Sequence, residues 1–453
     1  MNKHFRELIR NPMMTGRLNW LLVAIVVSLF SVGYLNGIKF VPFHPDETTQ
    51  IFMSADFFTF FNHPLSLAWT PDAETSLVVH YRLVDPPLTR YMIGFGEWLS
   101  GIRPILSDWN WSLSWTANQS NGALPDPHLL GIARLSVAIL FPLSLLLAYD
   151  SARRYFRTIW AGWFALLLTA SNALVLLHTR RAMAESALFC LTLLTLWSLA
   201  KFSGKRQWLA AIPAALAFNA KYSAVFLIFL VGLRIIFSKD NQTEQHRGLW
   251  EKALRLFQVG AILIFLTVLL NPFLWKQPLA AAEAAIQERA GLSAQQASMQ
   301  PDTDQSQSGL STEIASFLSS AFISMPAIQD VGNYQKELES PAQVYFAYPG
   351  TGLLRTITGG AILLLIFLSG MVSIWLERNQ PGRKSALLLI IGFLLTSVFN
   401  HTVFVVYYQR YIMAELPYIL LISAGFLGTL TARLVKKYAA GNLIPAAYNS
   451  SSN

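Results

Sequence analysis

The stretch NWLLVAIVVSLFSVGYLNGIKFVPFHPDETTQ, Asn19 to Gln50, sets an uncharged apolar run directly against the first polar cluster after it. Residues 19–37 are long enough to cross hydrocarbon, which takes roughly 20 apolar residues in a helix. The preceding segment, MNKHFRELIRNPMMTGR, is basic, and no small-residue cleavage site follows the run. It therefore reads as a retained first span, not a signal peptide. The cluster His44-Pro45-Asp46-Glu47 then stands where the chain leaves the membrane.

The same pattern recurs along the chain. Of 453 residues, 53% are hydrophobic and 13% charged, against about a quarter charged in a soluble chain. Further apolar runs fall at 130–149, 158–177, 182–200, 207–220, 222–237, 255–275, 353–376, 385–399 and 415–432. The fold class expected is an all-α polytopic membrane protein with about ten transmembrane helices. The fifth, sixth and ninth runs are short or crowded, so the count lies between roughly nine and thirteen. The single cysteine, Cys190, excludes an intramolecular disulfide framework and a thiolate metal site.

The net charge is +9, and its placement explains it. Lys and Arg gather in the alternate segments that share a side with the N-terminus, whereas most acids fall on the other side. By the positive-inside rule both termini are cytoplasmic. The excess positive charge is topological, and no nucleic-acid partner is expected.

Two outer loops, 38–129 and 276–352, are far longer than a connection needs. In the first, ETTQIFMSADFFTFF and PPLTRYMIGFGEWLSGI are amphipathic and too polar to span, as in helices lying in the membrane interface. The second begins with a predicted helix, PLAAAEAAIQERAGL. It continues through SAQQASMQPDTDQSQSG, which has the composition of a mobile segment. No internal repeat, Walker loop or dinucleotide fingerprint is present. One membrane domain, 1–436, with a cytoplasmic tail, 437–453, is expected.

Polar groups concentrate at the outer ends of the spans. In HPDE, Pro45 suits a first helical turn, and Asp46 and Glu47 suit its unpaired amides. The cluster is therefore either a well-capped interfacial helix or a base, Asp46, oriented by Glu47 or His44. In VVHYRLVDPPLTRY, Asp85 and Arg90 flank a double proline. Arg90 is either a snorkelling side chain or a contact for an anionic lipid head, with Asp85 holding an acceptor or another site residue. LHTRRAMAES places His178, Arg180, Arg181 and Glu185 on the outer side, against the usual charge bias. Arginine forks suit phosphate, and such cations are expensive near lipid unless used or paired. In FNAKYS, Lys221 and Tyr222 stand between two apolar runs, and Lys221 either snorkels or meets a phosphate. NPFLW, Asn271 to Trp275, reads as an ordinary span exit. In NHTVFVVYYQRYIMAELP, Arg410 is a belt anchor or a phosphate ligand. Carboxylates from the first loop and cations from later loops together suit a leaving lipid phosphate and an acceptor hydroxyl needing deprotonation.

These motifs, in this order, resemble the C-type glycosyltransferase superfamily of integral membrane enzymes, within it the protein O-mannosyltransferase and aminoarabinose transferase branch. An acidic pair follows the first span (Asp46-Glu47), then Asp85-Pro86-Pro87-Leu88, then Arg134 in IARLSV. TRRAMAES, a Lys-Tyr loop and the Arg-Tyr of QRYIMAELP follow. The resemblance implies a polyprenyl-phosphate sugar donor, an acceptor that is a glycan, lipid or protein, and a site on the non-cytoplasmic face. It implies a catalytic aspartate at Asp46, with Glu47 beside it, and donor-phosphate cations at Arg90, Lys221 and Arg410, joined by Arg180 and Arg181. His44, Asp85, His178, Glu185 and Tyr222 are left as acceptor or sugar contacts. Relatives often carry His or Lys before Pro-Pro, where this chain has Asp85. The extra luminal domain of eukaryotic O-mannosyltransferases is missing, which points to a bacterial inner membrane. No cofactor is required. A divalent metal between Asp46 and Glu185 stays open. The rival reading is a transporter or lipid flippase, which would hold its ionisable groups near the bilayer midplane.

Overall fold

The computed structural model describes residues 12–71, 76–238, 245–298, 310–329, 334–352, 356–376, 382–403 and 408–441. Helices α1 (Pro12–Asn36), α2 (Pro45–Met53), α3 (Ala55–Asn62), α4 (Leu77–Val84), α5 (Leu88–Leu99) and α6 (Trp115–Ser120) carry the chain through the first span and outer loop. Next come α7 (Pro127–Ala138), α8 (Phe141–Phe156), α9 (Ile159–Ser171), α10 (Ala173–His178), α11 (Ala184–Lys201), α12 (Ala211–Ala220), α13 (Val225–Ile236) and α14 (Gln245–Leu270). The remainder is α15 (Pro278–Ser298), α16 (Leu310–Leu318), α17 (Gln335–Ala347), α18 (Ile357–Leu376), α19 (Arg383–Val403) and α20 (Leu416–Gly441). No strand occurs among the described residues, and the protein is an all-α polytopic membrane protein. Among the described residues, six segments are long and apolar enough to cross a membrane; Ile159–Ser171, Tyr222–Ile236, Ile314–Ile323 and Ser385–His401 are shorter apolar helices.

Local chemistry explains the breaks that pattern reading ran together. The run 158–177 is two helices because the Asn172 side chain accepts from the amides of Leu174 and Val175 and starts a new helix. Asp126 caps α7 in the same way through His128 and Leu129, with Pro127 at the first helical position. The first amphipathic stretch is also two helices, α2 and α3, which meet at Ser54.

One large apolar core joins α1, α8, α9, α11–α13 and α18–α20. Within it α9 and α20 approach closely, and a Cβ added to Gly428 would collide with the backbone of Ala161. Small residues permit this approach, as in helix pairs that cannot rely on a hydrophobic drive within lipid. A second cluster, Ile51, Ile93, Leu129, Ala133, Val137 and Ala182, seats the first-loop helices on α7. A third, Phe43, Trp109, Ala123, Tyr334 and Leu338, ties that loop to α17. The second outer loop thus holds α15, α16 and α17, more structure than its composition suggests. The stretch 299–309, most of the segment expected to be mobile, lies outside the described residues.

Candidate active site

The site begins at the start of α2. His44 is the N-cap: its Nδ1 accepts from the Asp46 amide at 3.1 Å, and its own amide donates to Glu47 Oε2 at 3.0 Å. This reciprocal cap, with Pro45 at the first position, fixes the two carboxylates in opposite directions. Glu47 turns inward and is fully buried. Arg134 Nε and Nη2 each donate to it at 2.7 Å, and the Ala182 amide donates at 2.9 Å. Burial pushes its pKa up, but the Arg134 charge and hydrogen bonds, with Arg181 and Ala182, outweigh that and hold it below the usual carboxylate range. Arg134 also grips the carbonyls of Ile38, Val41 and Pro42. Glu47 is therefore tied into the support beneath the site.

Asp46 turns outward and keeps 31% of its side-chain surface. Arg410 Nη1 donates to Asp46 Oδ2, an ion pair that closes a sequence gap of 364 residues. Arg410 sits on the short turn Gln409–Ala414, between the rings of Tyr408 and Tyr411. Lys221 Nζ lies 4.7 Å from the centre of the Tyr411 ring and 2.8 Å from Glu185 Oε1. The charges of Arg410 and His178 also act on Glu185. Asp46, His178, Glu185, Lys221 and Arg410, scattered in the chain, thus form one cluster.

The other expected residues do different work. Arg90 is buried, donates to Asp56 Oδ2 at 3.0 Å, and caps the end of α4 through the carbonyls of Tyr81 and Asp85. Arg82 joins it on Asp56, and Tyr222 and Asp85 lie beside this second cluster. Arg180 donates to the carbonyls of Tyr34 and Gly350 at 3.0 and 2.9 Å, and Arg181 to that of Ile328. These two arginines pin the outer end of α1 and the second loop together.

The structure adds residues that motif reading passed over. Asp108 accepts from Thr49 at 2.8 Å and from the Tyr81 hydroxyl at 2.6 Å. Burial raises its pKa, and the charge of Asp46 adds to the rise. It is thus a second carboxylate beside the first. Its sequence signal was an acid set among tryptophans, SDWNW; that of Asp56 was a lone acid in an aromatic helix.

No group of three His, Cys, Asp or Glu side chains arranged for a metal occurs among the described residues. Asp46 and Glu185 each already face a cation, Arg410 and Lys221. No reaction step is derived through a metal.

Comparison with known proteins bears on this geometry. The family model described as dolichyl-phosphate-mannose-protein mannosyltransferase matches residues 78–277, a stretch holding Asp85, Arg90, Glu185 and Lys221. The archaeal oligosaccharyltransferase AglB from Archaeoglobus fulgidus, solved with an inhibitory peptide and a dolichol-phosphate, superposes over 94% of this chain at 14% identity and a TM-score of 0.50. The chain has the C-type glycosyltransferase fold. The Archaeoglobus fulgidus oligosaccharyltransferase in complex with Zn and sulfate aligns over 93% of the chain at 12% identity, TM-score 0.49. The chain spans about half the length of these structures, covering 52% and 51% of them. No curated protein sequence matches it.

Proposed function

We propose that this protein is a membrane glycosyltransferase that moves a sugar from a polyprenyl-phosphate donor to an acceptor hydroxyl on the outer face of a bacterial inner membrane. The observation that carries the reading is the pairing of half-exposed Asp46 with Arg410, beside Lys221. Asp46 takes the proton of the acceptor hydroxyl. The acceptor oxygen then bonds to the anomeric carbon as the carbon–oxygen bond to phosphate breaks, and lipid phosphate departs with the electron pair. A single displacement inverts the anomeric centre.

The cations fit that charge flow. A guanidinium offers five N–H donors, so Arg410 can hold Asp46 and a phosphate oxygen together. Lys221 adds a point charge. Charge placed in advance where it develops stabilises the transition state. The matched mannosyltransferase model supports a lipid-phosphate sugar donor. The distribution of Lys and Arg along the sequence supports cytoplasmic termini.

The test is Asp46→Asn in purified membranes with a labelled lipid-phosphate sugar. Transfer is expected to fall by at least about 100-fold, within the range of a lost acid–base group. Normal transfer at unaltered expression refutes the assignment.

A further inference from the structure

The second outer loop forms a cavity of about 650 Å3 that the proposed reaction does not use. One wall is α17. Its residues Gln335, Glu339, Gln343 and Phe346 recur at helical spacing and share one face. They are exposed, while Leu338, which also lines the cavity, and Tyr345 are buried. The other wall carries Ile328 and Gln329.

The cavity abuts the site. Leu338 packs in the cluster that includes Phe43, three residues before Asp46. The carbonyl of Ile328, on the cavity rim, receives Arg181, next to the Ala182 amide that holds Glu47.

We propose that this cavity binds a neutral oligosaccharide. Each glutamine amide carries both donors and an acceptor, the complement of adjacent sugar hydroxyls, and Phe346 offers a flat apolar face to a pyranose ring. The volume lies within the usual 300–1,000 Å3 of ligand clefts. One cation, Lys336, is offset by Glu339, so the lining does not favour an anionic headgroup. Naming the sugar as the acceptor's distal part rests on the transferase reading; the binding itself does not.

The test is calorimetric titration of the full-length protein in lipid nanodiscs with neutral linear tetrasaccharides of glucose and of mannose. One of them is expected to bind. Phe346→Ala and Gln343→Ala, both at exposed positions, are expected to weaken binding at least about fivefold. No binding of either sugar overturns the proposal, as does binding that all the folded variants leave unchanged. A cavity that takes a sugar phosphate or a short peptide while rejecting both neutral sugars overturns it too. If Asp46→Asn still transfers while Phe346→Ala loses sugar binding, the catalytic reading falls and the carbohydrate site stands.

Discussion

Glu47 is adjacent to Asp46 in the chain, yet the structure gives the two carboxylates separate tasks, and Glu47→Gln separates them. The substitution keeps size and removes charge. Glu47 accepts four hydrogen bonds, two of them from Arg134. A glutamine keeps one acceptor oxygen and turns an NH2 toward donors, and Arg134, itself buried, loses its counter-charge. Breaking a buried pair from one side costs about 3–5 kcal/mol. Arg134 retains its three carbonyl partners, so about 3 kcal/mol is expected, a fall in melting temperature of roughly 3–5 °C for a chain of this length. The assay is thermal unfolding in detergent alongside lipid-phosphate sugar transfer. Glu47→Gln combined with Arg134→Met is expected to recover part of the stability lost in the single variant, because no buried guanidinium is then left without its counter-charge. Transfer should recover in part with it if Glu47 only positions Asp46. The folded pKa of Glu47 is depressed, so its contribution is present above the unfolded value near 4.5 and lost as pH falls through the folded one. Wild-type stability in Glu47→Gln, or a double variant that regains stability while transfer stays as low as in the single, refutes the positioning role.

Three other outcomes are expected. Arg410→Lys keeps a charge but loses the fork, so KM for the lipid-phosphate sugar should rise about tenfold in steady-state transfer; an unchanged KM removes Arg410 from donor binding. Burial pushes Glu97 up to about 7, only partly countered by the Ser54 hydroxyl that donates to it at 2.6 Å. The stability its protonated form lends is present below about 4.5 and lost as pH rises through 7, so unfolding scans should show about 1 kcal/mol less stability at pH 8 than at pH 6. Glu97→Gln should flatten that slope. Gly428→Ala drives a methyl into the Ala161 backbone and should cost about 1–3 kcal/mol, read as a lower melting temperature with the KM of the remaining activity unchanged.

The spans, and the place of Asp46 just beyond the first of them, were legible in the one-dimensional pattern. Hydropathy over about 20 residues is set by the solvent each segment must meet, and Lys/Arg bias reports which side it faces. His44-Pro45-Asp46-Glu47 likewise announced a helix start, because a cap is built from neighbours in sequence. Which carboxylate faces outward was not legible, since that depends on Arg134, 87 residues from Glu47, and Arg410, 364 residues from Asp46. Arg90, Arg180 and Arg181 looked like phosphate ligands for the same reason. A buried guanidinium holding carbonyls and one bound for a substrate have the same local sequence, and only packing separates them. The residues alone determined the solvent and the chemistry on offer. Tertiary structure decided which charges meet, because ion pairing depends on distance in space and chain order does not encode it.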